Sequence, residues 1–102
     1  MEARNPMMDE SLELTRRMLA CGQEGAWDKV VELERHRRPR LEQALARPGS
    51  VDEATASSIR DILALDRQLI ALGARYRDEV GEALSNAQRG TKATRAYRGV
   101  DS

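Results

Sequence analysis

The sequence predicts an all-α fold: an antiparallel bundle of three helices, followed by a short C-terminal helix or tail. Composition is the first reason. Charged residues make up 33% of the chain, aromatics only 3%, and Phe is absent, a balance that suits helical bundles better than sheets. β-Branched runs are missing apart from Val30-Val31. The third reason is periodicity. Across 51–87, Ile59, Ile62, Leu63, Leu69, Ile70, Tyr76, Val80, Ala83 and Leu84 recur mostly at steps of three and four, with no Pro between them. One side of a single helix therefore carries an apolar stripe. A chain of 102 residues allows one small domain with a thin core. The domain is expected to span 1–102, with 88–102 a mobile C-terminal segment.

The first helix is expected over 6–21. Asn5 reads as its N-cap and Pro6 as its first helical residue. Asp9 and Glu10 then complement the helix dipole. Met8, Leu12, Thr15 and Leu19 form one line, and Gly22 offers a left-handed residue to end the helix. Gln23-Glu24-Gly25 is a turn short enough for an antiparallel hairpin. The second helix, expected over 26–46, carries Trp27, Val30, Val31, Leu33, Leu41, Ala44 and Leu45 on its apolar face. Trp27 is expected to anchor the hairpin end. Glu34, Arg37 and Arg38 interrupt that face, and Pro39 predicts a kink or break near 35–38. Arg47-Pro48-Gly49 ends the helix. Ser50 or Asp52 caps the third helix, expected over 51–87, with Glu53 as capping-box partner to Ser50.

Asp66 falls on the stripe of the third helix, between Ile62 and Leu69. A carboxylate in a helix seam needs a partner. Arg37 or Arg38, near the middle of the second helix, is expected to supply it. Length matters as well. Some 36 residues make a rod of roughly 54 Å, which shorter partners cannot cover completely. Tyr76, Val80 and Leu84 are then expected to lack intramolecular cover, and such a stripe marks an interaction surface. Leu69, Ile70, Tyr76, Val80 and Leu84 are expected to line a groove with Val30, Leu33 and Leu41. Its natural occupant is another amphipathic helix. The rival reading is a structural coiled-coil module that uses the same stripe to form a homodimer.

Other classes of function find little support. The 17 basic and 17 acidic residues balance, so there is no general drive toward nucleic acid or an anionic membrane. The distribution is uneven: 51–87 holds 4 basic and 7 acidic residues, whereas 88–102 holds 4 basic and 1 acidic. A basic tail thus follows an acidic helix. Arg35, Arg37, Arg38 and Arg40 alternate with Glu32, Glu34 and Glu42, which reads as a solvated helix face. No apolar run reaches the length of a membrane span, and 1–6 lacks the layout of a signal peptide. Cys21, the single cysteine, fits a reducing compartment and reads as a small core residue. The expected location is the cytoplasm. His36 is the only histidine and lacks companions at metal-ligand spacing. No catalytic, metal or cofactor site is expected, and no enzyme.

Three blocks carry a family resemblance. Trp27-Asp28-Lys29-Val30-Val31-Glu32-Leu33-Glu34, followed by Arg37, resembles the "W-D-x-[hydrophobic]-x-x-[hydrophobic]-E-x-x-R" stretch of the FliT-type flagellar export chaperones. Ile59-Arg60-Asp61-Ile62-Leu63-Ala64-Leu65-Asp66, continued by Leu69, looks like that family's long-helix segment with its Ile-Leu-x-x-Asp core. Lys92-Ala93-Thr94-Arg95-Ala96-Tyr97 is similar to its "K-A-x-x-A-Y" close. The blocks come in the family's order and spacing across nearly the whole chain. The resemblance implies a cytoplasmic helical chaperone that holds the C-terminal segment of the filament cap protein before type III export. It also implies contact with the export ATPase complex and, in some bacteria, restraint of the flagellar master regulator. In the family the C-terminal segment covers the binding surface. Here that regulatory tail would comprise Lys92, Ala93, Arg95, Tyr97 and Arg98, folding back at Gly90 toward Asp78, Glu79 and Glu82.

Overall fold

The computed structural model describes residues 5–46 and 51–100, with side chains as far as Lys92. Three helices follow one another: α1 (Pro6–Gln23), α2 (Trp27–Leu45) and α3 (Glu53–Val100). There is no strand among the described residues. The chain divides into two compact units, Met1–Leu72 and Gly73–Ser102.

The first unit contains α1, α2 and the first part of α3. The Asn5 side chain caps α1 by accepting a hydrogen bond from the Met8 amide at 3.2 Å, with Pro6 next in line. The end of α1 differs from expectation. Gly22 stays helical, and the left-handed residue is Gly25, at φ 75°. Gly22 is needed for a different reason. A β-carbon there would lie 2.8 Å from Leu69 Cδ1 and 3.4 Å from the Trp27 ring. The missing side chain lets α1, the start of α2 and α3 close on one another at the hairpin end. Trp27 is half-buried there, against the core, as expected of a hairpin anchor.

α2 passes through Pro39 as one helix, so the expected break near 35–38 does not occur. Apolar packing on both sides of Pro39 supports the helix through the proline. At the start of α3, Asp52 is the cap, accepting from the Thr55 amide at 2.7 Å. Bonding by the Thr55 amide and hydroxyl holds the Asp52 carboxyl below its usual range. The cap therefore persists until the pH falls through that lowered value. Glu53 pairs with Arg60 at 2.9 Å. Ser50 and the Arg47-Pro48-Gly49 stop lie outside the described residues.

Two apolar clusters fill the first unit. One joins Met18 and Leu19 of α1, Val30 of α2 and Leu69 of α3. The other joins Met8, Ala44 and Ile62. Residue numbers rise together along α1 and α3 and fall along α2. The three helices therefore run up, down and up, as a bundle with short connections should. Burying each Met, Leu, Val or Ile side chain contributes about 1.5–3 kcal/mol.

The second unit contains the remainder of α3. The separate short helix or tail expected after residue 87 is instead the continuation of α3 to Val100. One Gly costs a helix only about 1 kcal/mol, and good helix formers surround Gly90. Thr91 adds a bond from its hydroxyl to the Ala87 carbonyl at 3.0 Å. No reversal of the chain occurs at Gly90.

The Gly22 packing gives a direct test. Gly22→Val is expected to destabilise the protein by about 2 kcal/mol in urea unfolding, because overpacking outweighs the gain in helix propensity. Unchanged or increased stability would contradict the close approach of Leu69.

Candidate functional site

The two clusters of the first unit are separated by a polar layer built around Arg37. Its Nη1 donates to Asp66 Oδ1 at 2.7 Å and to Thr15 Oγ1 at 3.1 Å. Its Nη2 lies 2.7 Å from Glu34 Oε2, and Nε donates to the same oxygen at 2.9 Å. One guanidinium thus bonds to all three helices. The Arg37 side chain is 11% exposed and that of Asp66 27%, so the pair is largely withdrawn from water.

Of the two arginines expected as partners for Asp66, Arg37 is the one that reaches it. Arg38 stays outside, 3.5 Å from Glu34. Sequence reasoning missed the part played by Thr15, which it placed on an apolar line. Thr15 is fully buried, and its hydroxyl donates to the Ser11 carbonyl at 2.7 Å while accepting from Arg37. The available signal was a hydroxyl on the inner stripe of α1, level with two other polar residues on inner stripes. The remaining arginines of the run do form a solvated, acid-paired face: Arg35 with Glu32 and Arg40 with Glu10.

The residues expected to bind a partner fall into two groups. Val30 and Leu69 are buried in the first cluster, and Leu33 packs against it. Leu41 packs against the second cluster. These four hold the bundle together. Ile70 of the first unit is 70% exposed. In the second unit Tyr76, Val80 and Leu84 are 47%, 38% and 60% exposed. Four-residue spacing sets these three along one side of the helix. Lys92 is exposed. The side chains of Ala93, Arg95, Tyr97 and Arg98 lie outside the described residues.

Other surfaces are less suggestive. An open cleft between α1 and α2 is floored by Leu14 and Leu33 and rimmed by charged groups. Arg40 and Glu10 on that rim already pair at 2.8 Å, and His36 Nε2 lies 3.5 Å from Glu32. Cys21 is half-buried and packs against the first cluster. Among the described residues no group of three or more His, Cys, Asp or Glu side chains is placed to hold a metal ion. No helix among them is long and apolar enough to cross a membrane.

Among the described residues the protein is an all-α bundle whose longest helix carries exposed apolar side chains. The family model described as flagellar protein FliT matches residues 6–99. The chain belongs to this family of flagellar chaperones. No curated protein and no solved structure gives a match.

Removing Asp66 tests the polar layer. Asp66→Ala is expected to cost about 2 kcal/mol or more in urea unfolding, since it leaves the Arg37 charge short of a partner. The half-exposed rim of the pair keeps the cost below that of a fully buried one. A loss under about 0.5 kcal/mol is the behaviour of a surface pair and would contradict this account.

Proposed function

We propose that this chain is a cytoplasmic export chaperone for the filament cap protein. It holds the C-terminal segment of that protein and delivers it to the type III export apparatus. The observation that carries the reading is the line of Tyr76, Val80 and Leu84, exposed on one side of α3. Soluble proteins leave such lines uncovered chiefly where a partner supplies the cover. A client helix would lay its apolar face on this line, gaining roughly 25 cal/mol per Å² buried before ordering costs. Contact with the export ATPase complex and restraint of the flagellar master regulator belong to the same proposal, which family membership supports.

The tail enters as a regulator. Lys92, Ala93, Arg95, Tyr97 and Arg98 would compete for the client line by bending back at Gly90. That movement requires α3 to open there. Tethering compensates for weak binding, because it supplies an effective concentration in the millimolar range. Self-association through the same apolar line is the second reading, and the same exposed side chains favour it.

A titration separates these readings. The C-terminal segment of the cap protein is added to the full chain, to Val80→Asp and to a truncation ending at Ala87. Val80 is 38% exposed, so the substitution leaves the bundle intact. It is expected to weaken binding at least roughly tenfold, by placing a charge in the apolar contact. Tighter binding by the truncation supports a competing tail, whereas equal binding removes the tail from the mechanism. Unchanged affinity in Val80→Asp overturns the client line. Light scattering of the same samples reports the second reading: a dimer that Val80→Asp dissolves is self-association.

A further inference from the structure

Pro39 lies inside α2. It has no N–H to offer the Arg35 carbonyl, and its ring crowds that carbonyl. The residue after it spans the damaged turn. Arg40 Nη1 donates to the His36 carbonyl at 2.7 Å, while its Nε donates to Glu10 of α1 at 2.8 Å. A bond of the first kind is not special in itself, since Arg67 reaches the Leu63 carbonyl at 3.3 Å. Arg40 differs in its position beside a proline and in its second tie to another helix.

The two sides of Pro39 are also held by different things. Before it, Val30 packs in the first apolar cluster and Arg37 bonds to Thr15 and Asp66. After it, Ala44 packs with Met8 and Ile62, with Leu41 alongside. Two polar ties secure this later segment, Arg40 to Glu10 and Asn5 Nδ2 to the Ala44 carbonyl at 3.2 Å. Both run to the first turns of α1.

We propose that residues 40–45 form a releasable end of α2, hinged at Pro39 and latched by Arg40. The guanidinium bridges the proline on one side and grips α1 on the other. Opening the latch frees Leu41 and Ala44 and uncovers Met8 and Ile62. The first cluster and the Arg37 bonds stay in place. Sub-global openings of this kind are ordinary in small bundles; Pro39 and Arg40 fix where this one begins.

Amide hydrogen exchange on the full chain tests the latch. Residues 41–45 are expected to exchange at one shared rate, with a step in protection between Arg38 and Leu41. Simple fraying gives a gradient rising toward Leu45 with no step, and that result would overturn the proposal. Arg40→Met removes both bonds but keeps an aliphatic stem. It should speed exchange over 41–45 by roughly two- to fivefold, the loss expected for an exposed ion pair, and leave 30–37 unchanged. Equal acceleration in both halves would overturn the latch. Pro39→Ala restores the missing donor and should erase the step. A step that survives Pro39→Ala would overturn the hinge.

Discussion

Arg37 donates to acceptors on all three helices, and the register of the bundle depends on it. Each helix presents an inward seam with a polar residue near its middle. On α1, Met8, Thr15 and Gly22 are seven apart and all buried. On α2, Val30, Arg37 and Ala44 keep the same spacing. On α3, Asp66 lies between the buried Ile62 and Leu69. Only one alignment sets Thr15, Arg37 and Asp66 level with one another. That same alignment brings Met8 to Ala44 and Ile62, and Leu19 to Val30 and Leu69. Apolar seams alone tolerate sliding by a heptad, whereas a buried polar residue penalises every alignment that leaves it unpaired. The layer specifies the arrangement, and the apolar clusters supply most of the driving force.

This division matters for a chaperone. A binding protein must keep some apolar surface uncovered without collapsing on it. Here α1 and α2, at 18 and 19 residues, are far shorter than the 48-residue α3. The first unit satisfies its own core. Tyr76, Val80 and Leu84 stay exposed in the second. The FliT family gives that arrangement its setting in flagellar biogenesis.

Much of the fold was legible from spacing. The helix start at Asn5-Pro6, the hairpin, the Trp27 anchor and the pairing of Asp66 across the bundle all follow from residue type and position, and Asp52 was one of two caps that spacing offered for the third helix. The errors have specific causes. Gly22 looked like a terminator, because a glycine near a helix end usually is one; tertiary packing against Leu69 uses it instead. Pro39 looked like a kink or a break, but α2 runs through it as one helix, with apolar contacts on both sides. The segment after residue 87 looked like a separate short helix or tail, although one glycine among good helix formers does not stop a helix.

The candidate site was less legible. Val30, Leu33, Leu41 and Leu69 share the apolar character of Ile70, Tyr76, Val80 and Leu84. A single sequence cannot say which apolar side chains face inward until the register is known. Thr15, which completes the Arg37 layer, carried only a weak sign of its role.

The coupling between Arg37 and Asp66 tests the central claim most directly. A double-mutant cycle with Arg37→Met and Asp66→Leu isolates it from the desolvation that either single change exposes. A shared layer that fixes register predicts a coupling energy of at least about 1.5 kcal/mol, with the double variant more stable than either single variant. A coupling near zero, with additive losses, would mean that the two charges act independently and that the bundle is aligned by its apolar seams alone.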